Sequence, residues 1–310
     1  MVRETEMSTG RGATPDRALL LRLIVRWAVP VLWVAVAVAG GDAIGDALDG
    51  RSGAVRLVAI VGAWLGWAVA AVASVVPSTV SLTVLRAIVP GSIGVAAACG
   101  LAGATAGSVA LSAALCVATS AMCATAEFGL TMAQASAYGD EVRIPLRAPV
   151  GYALPAAVSW VLWASSVIVA PLLLAAGVWA SGIPLAALAV AGTVLLPRRW
   201  HQLSRRWLVF VPAGVVVHDR VVLAETLMVR RHDVRSLSLA LVGTEAVDLT
   251  GPAAGHAVEV TTAAPVRVLR ASASRRGTAT ELTLQAFLVA PSRPGAALTE
   301  AARRRLPLGP

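Results

Sequence analysis

Between Arg86 and Asp140 the chain runs for 53 residues with a single charged side chain, Glu127. A helix crosses the hydrocarbon core of a bilayer with about 20 mostly apolar residues. The stretch is therefore too long for one span and fits two, joined by a tight turn around Gly103–Gly107. The composition of the 310-residue chain agrees, with 57% hydrophobic and 14% charged residues. A soluble domain carries about 25% charged residues, and a disordered chain has few large apolar side chains. A polytopic membrane protein remains.

Six spans are expected, near Leu20–Gly41, Val55–Val76, Ile88–Gly103, Gly107–Phe128, Leu154–Ala176 and Val178–Leu196. They divide the chain into an N-terminal tail (1–18), a six-helix domain (19–197) and a C-terminal domain (198–310). Arginines fall on alternate loops: Arg3, Arg11, Arg17, Arg22 and Arg26 before the first span, Arg86 after the second, Arg143 and Arg147 after the fourth, and Arg198–Arg199 after the sixth. The other loops hold Arg51 and Arg56 against Asp42, Asp46 and Asp49, or no charge. By the positive-inside rule both termini face the cytoplasm of a plasma-membrane protein. The first span also has a signal-peptide aspect, with Ala37-Val38-Ala39 as a small-residue cleavage site. Leu19–Val25 extends the apolar run and Arg22 and Arg26 can snorkel, so an uncleaved anchor is expected.

Within the spans, Gly62-x-x-x-Gly66 and Gly103-x-x-x-Gly107 have the spacing that lets helices approach closely. Packing inside the bundle is expected of them before a dimer face. Pro30, Pro155, Pro171 and Pro184 should kink or start helices. The pairs Trp64/Trp67 and Trp160/Trp163 each share a helical face and read as bulky filler.

Glu127 is the one candidate intramembrane functional acid, suited to proton coupling or cation binding. Its place near the cytoplasmic end of the fourth span, with no second acid or histidine as relay, favours an interfacial residue. Asp42, Asp46 and Asp49, with Gly50-Arg51, resemble the start of the aspartate-rich motif of membrane phosphatidyl-alcohol transferases. That motif needs two further aspartates, and the next acid here is Glu127, so a solvated acidic loop is expected. The cysteines Cys99, Cys116 and Cys123 lie in apolar runs without metal or disulfide spacing. His201, His218, His232 and His256 are scattered. No phosphate loop, dinucleotide fingerprint, zinc-protease helix or nucleophile elbow occurs, so no cofactor and no catalytic residue is expected. The connector Gly139–Pro149 alternates charged and apolar residues and suits docking on the C-terminal domain, binding a partner as an extended strand, or lying on the surface with its arginines at phosphates; a structural role is expected of it.

All 26 basic residues are arginine, and residues 201–310 hold 14 of them against 8 acids, a net of +6. Such a charge beside a bilayer suits anionic headgroups, at about 1 kcal/mol per arginine. No nucleic-acid-binding signature accompanies it. From Arg205 the pattern becomes strand-like. Short runs lie at Trp207–Val211, Gly214–His218, Val221–Leu223, Thr226–Val229, Arg235–Leu241, Val247–Leu249, His256–Thr261, Val266–Arg270 and Glu281–Val289. These make a small β-barrel or sandwich. A closing helix over Ala296–Leu306 is expected, capped by Ser292 and packed through Leu298, Ala302 and Leu306.

The run Arg206–Val211, the turn into Gly214–Val217, the segment Asp233–Leu237 and the closing helix resemble the bacterial pleckstrin-homology-like (PH-like) domain found behind transmembrane helices. Six spans with such a tail are similar to an uncharacterised actinobacterial family of multi-pass membrane proteins. The resemblance implies a non-enzymatic binding or assembly module and transfers no functional residues. The expected function is a membrane anchor presenting this module to anionic lipid or a protein partner. Arg198, Arg199, Arg205 and Arg206 would lie against the inner leaflet, with Arg230, Arg231, Arg275 and Arg276 as a second basic surface. A small transporter or channel using Glu127 and the proline-kinked helices is the alternative.

Overall fold

The computed structural model describes residues 15–271 and 279–309. Arg3, Arg11, Arg275 and Arg276 lie outside them. Six helical segments are long and apolar enough to cross a membrane. They are α1 (Pro15–Ala47), α2 (Gly53–Val75), the pair α3 (Thr79–Ile88) and α4 (Gly91–Leu101), α5 (Ala106–Ala124), α7 (Val150–Ala175) and α8 (Trp179–Ser204). A further helix, α6 (Ala126–Gln134), follows α5 and is too short to span.

Two of the expected boundaries are corrected. The third span begins at Thr79, capped by the Ser78 hydroxyl, which accepts from Ser81 N at 3.0 Å. Its first half turns Ser81 and Thr83 into the bundle, and both are buried. Those hydroxyls lower the local hydropathy, which is why the apolar signal starts only at Ile88. Arg86 is consequently part of a helix rather than a loop. Its Nε donates to the carbonyl of Cys123 at 3.1 Å. The fourth span ends at Ala124, where Thr125 turns extended (φ −61°, ψ 149°) and its hydroxyl accepts from Phe128 N to start α6.

Hydrogen bonds from indoles fasten the bundle. Trp33 and Trp67 exchange them, each Nε1 donating to the other's carbonyl oxygen at 2.9 Å, which locks α1 to α2. Trp160 Nε1 donates to Ala87 O at 2.8 Å, and Trp163 Nε1 to Thr193 Oγ1 at 2.9 Å. The tryptophan pairs thus do more than fill space, because an indole N–H in lipid needs an acceptor. Close helix approach occurs elsewhere than expected. Nothing lies within 4 Å of a Cβ built on Gly62 or Gly66. At Gly192 such an atom would stand 2.6 Å from Trp163 Cδ1, where α8 presses on α7.

The C-terminal part forms two four-stranded sheets. The first has the order β1-β2-β3-β4, with β1 (Val142–Pro145), β2 (Trp207–Val211), β3 (Gly214–His218) and β4 (Leu227–Arg230), all antiparallel. The second has the order β5-β7-β8-β6, with β5 (Val234–Leu239), β6 (Val247–Asp248), β7 (Val258–Ala271) and β8 (Ala279–Val289). Val221–Leu223, expected as a strand, is a turn with one bridge from Leu223 to Arg270. The two runs expected at His256–Thr261 and Val266–Arg270 are one strand, irregular between Thr261 and Val266. Gly214 is required where β2 turns into β3. Its φ is +152°, and a Cβ there would sit 2.1 Å from Val229 O.

Leu208, Phe210, Val215 and Val217 from the first sheet meet Leu237, Val258, Val260 and Phe287 from the second in one buried core. The closing helix α9 (Pro294–Arg303) covers it through Ala297 and Ala301, with Leu298 and Leu306 alongside. Ala302 is exposed, and Arg293 rather than Ser292 stands at the N-cap. Pro294 at the first turn fixes the start without a side-chain cap.

The first strand of this unit comes from the connector between the fourth and fifth spans. Val142 pairs with Phe210 and Pro145 with Trp207, while Ile144 and Leu146 enter the β core. The sheet domain is thus closed by residues from outside the C-terminal tail. Helix α6 lies between the two parts. Phe128 and Met132 pack in the bundle core, and Ala133 packs against Trp207 and Val209 on the outer face of β2.

Candidate functional site

The sheet domain sits at the end of the bundle where the arginines gather. Arg26, Ser74, Pro77 and Phe128 border one small cleft there, which brings the start of α1, the α2–α3 link and α6 together. At the opposite end Asp46 Oδ2 accepts from Thr105 Oγ1 at 2.8 Å and Ser108 Oγ at 3.2 Å. Asp42 and Asp46, expected in a solvated loop, lie in the last turns of α1 and Asp49 in the turn after it, the length of the bundle away from the sheet domain.

Arg198 and Arg199 are exposed on the last turns of α8, and Arg205 is exposed just after it. Arg206, expected to face lipid with them, does not. Its side chain is 1% exposed and forms a bidentate pair with the fully buried Asp219, Nε to Oδ1 at 2.8 Å and Nη2 to Oδ2 at 2.6 Å. The same guanidinium donates to the carbonyls of Arg147 and Thr250. Asp219 Oδ1 also accepts from Val221 N at 3.0 Å. Every guanidinium nitrogen and both carboxylate oxygens have a partner, which is the condition for a buried charge to be tolerated. Arg206 is a structural rivet joining the connector, β2, the end of β3 and the segment after β6.

Glu127 is also relocated. It lies in the first turn of α6, beyond the end of the fourth span, and its carboxylate meets Arg293 Nη1 at 2.8 Å. Both side chains are nearly half exposed. The pair links the foot of the bundle to the start of α9.

Three histidines lie in defined settings. His201 Nδ1 is 3.0 Å from Thr83 Oγ1 across α3 and α8. His218 stacks on Trp207 at 5.3 Å, and the Arg143 guanidinium lies over the same indole at 4.9 Å. Burial, reinforced by Arg205 and Arg220, holds the His218 imidazole below its ordinary titration range. His232 meets its neighbour Asp233 at 3.5 Å on the surface.

A cleft of about 360 Å³ opens between the end of α9, the β2–β3 turn and the residues after β4. Arg231, Arg303, Arg304 and Arg305 line it, with Asp140 as the one acid among the lining residues. Glu300 stands behind, accepting from Arg303 Nε at 2.7 Å and Arg304 Nε at 2.6 Å. Those arginines hold the Glu300 carboxyl below the usual carboxylate range. Arg304 Nη2 also donates to the Asp140 carbonyl at 2.8 Å. Arg230 is exposed beside Arg231 on the approach. Arg231 belongs to the expected second basic surface, whereas Arg303–Arg305, at the end of the expected closing helix, are not among the expected site residues. The signal was the triplet itself, since three consecutive residues spread around a helix and cannot all serve one solvated face.

Among the described residues, no three of His, Cys, Asp or Glu converge as a metal site would require. Comparison with protein-family models, curated proteins and solved structures returns no match to the chain.

Proposed function

We propose that the protein is a non-enzymatic membrane protein that presents a PH-like β module at the cytoplasmic face to anionic lipid or to a protein partner. The observation that carries this reading is how the module is fastened. β1 arrives from the connector, α6 is packed on both sides, and Arg206 ties four segments together. A module held at so many points is presented in a fixed pose at the arginine-rich end of the bundle. The distribution of arginine and aspartate between the two ends supports the cytoplasmic assignment, and the two facing sheets closed by a helix support the PH-like resemblance. Arg198, Arg199 and Arg205 remain as leaflet contacts, and Arg206 leaves the set. The transporter alternative drew on Glu127, whose ion pair outside the spans gives it no support.

The test is hydrogen exchange of the full chain in nanodiscs with and without phosphatidylglycerol. Anionic lipid should slow exchange in the module, and the triple variant Arg198→Gln/Arg199→Gln/Arg205→Gln should weaken the effect in a salt-dependent way. Exchange indifferent to lipid charge, with no partner captured by crosslinking in native membranes, would refute the reading. A reporter fused after residue 310 that is active only outside the cell would refute the orientation.

A further inference from the structure

We propose that the arginine-lined cleft at the end of α9 is a binding site for a phosphate group, carried by a lipid headgroup or by a soluble phosphate. The inference deepens the reading of the β domain as a binding module and rests on it.

Three observations carry it. The first is charge. Four guanidinium groups face one concavity with a single carboxylate on its wall, and Glu300 behind it does not cancel the excess. A helix C-terminus attracts cations, but its dipole amounts to about half a charge, far less than four arginines supply.

The second is the division of roles. Arg304 is 10% exposed and held by Glu300 through Nε and by Asp140 through Nη2, so it forms a fixed wall. Arg303 uses Nε and Nη2 on Glu300 and stays 60% exposed, leaving its other amino group free to donate. Arg231 and Arg305 are exposed and make no ion pair among the described residues. A tetrahedral phosphate accepts from several planar guanidinium forks at once, and the volume suits a phosphate with a small organic substituent.

The third is the backbone at Arg305. Leu306 N bonds Ala301 O at 2.9 Å and Arg305 N bonds Ala302 O at 2.8 Å, a helix end that places the intervening residue in the left-handed region. That residue is usually glycine. Here it is Arg305, with φ +55°, the one non-glycine residue at positive φ among those described. A cost in backbone energy is accepted where the side chain brings a fourth guanidinium to the cleft.

The experiment uses the full chain in maltoside micelles, which carry no phosphate, and in nanodiscs containing phosphatidylglycerol. Inorganic phosphate is titrated into the micelles by calorimetry, and hydrogen exchange at the end of α9 is followed in both settings. Binding of inorganic phosphate assigns a soluble ligand, and protection by phosphatidylglycerol alone assigns a headgroup; either supports the site. Arg231→Gln/Arg305→Gln should weaken the response about tenfold or more. Arg305→Gly should weaken it while raising the melting temperature, a combination that a purely structural arginine would not give. If phosphatidylglycerol protection survives both variants but is lost in Arg198→Gln/Arg199→Gln/Arg205→Gln, the cleft is refuted and the module reading stands. If wild type responds to neither probe in any arm, the phosphate site is refuted, and the module reading falls with it only when crosslinking in native membranes also captures no partner.

Discussion

Replacing Arg206 by methionine separates a buried rivet from a surface cation. The substitution keeps an unbranched, apolar stem and removes a guanidinium that is 1% exposed. It leaves the Asp219 carboxylate, fully buried, with only the Val221 and Val222 amides as donors, at 3.0 and 3.4 Å. It also orphans the carbonyls of Arg147 and Thr250. Breaking a buried pair by removing one partner costs about 3–5 kcal/mol, roughly two to four decades in the folding constant. A domain of ordinary stability has about 5–15 kcal/mol in all, so the sheet domain should be left partly unfolded at moderate denaturant. The double variant Arg206→Met/Asp219→Leu removes both charges and should recover most of the loss, since apolar replacement of a whole buried pair is often neutral. Pulse proteolysis of the full chain in maltoside micelles across a urea series reads the stability of the sheet domain directly. An exposed arginine replaced by methionine would change stability by less than about 0.5 kcal/mol. A value that small for the single variant, or a double variant as unstable as the sum of the two singles, would refute the burial argument.

Three further outcomes follow from the same packing. The tail expressed alone from Arg205 onward lacks β1, so the β2 edge is uncovered and Ile144 and Leu146 are missing from the core; it should aggregate, and a peptide covering residues 138–149 added during refolding should restore soluble protein by light scattering. Gly214→Ala drives a Cβ against the Val229 carbonyl at 2.1 Å, and the β-sheet domain should lose more than about 1 kcal/mol by the same proteolysis. His218 titrates below its ordinary value of 6.5 in the folded chain because of burial and then Arg205 and Arg220. The unfolded chain therefore takes up the proton first, so stability is full above pH 6.5 and declines as pH falls toward the folded value. His218→Phe, which can keep the stack on Trp207, should flatten that part of a melting-temperature profile.

Strands β2 and β3 were read from the sequence with their observed limits, because Trp207–Val211 and Gly214–His218 are β-rich runs divided by a Pro-Ala-Gly turn. That information is local. The start of the third span was misplaced because Ser81 and Thr83 look polar in a hydropathy window, whereas in the bundle their hydroxyls are buried among helices. Glu127 falls at the cytoplasmic end of the expected fourth span, where an interfacial residue is favoured, but nothing nearby announces Arg293, the residue that pairs with it. Arg206 looked like its neighbour Arg205, since a charge reads as exposed until its partner is known.

By itself the sequence determined that six segments are apolar and long enough to cross a membrane and that a strand-rich domain follows, because hydropathy and residue period are properties of short windows. Only the tertiary structure decided which arginines are free. It buries Arg206 on Asp219, spends Arg304 on Glu300 and Asp140, and leaves Arg231 and Arg305 facing a common cleft. The physical reason is that a guanidinium's role depends on the carboxylate it meets, and that meeting is made by chain folding over distances no local pattern records.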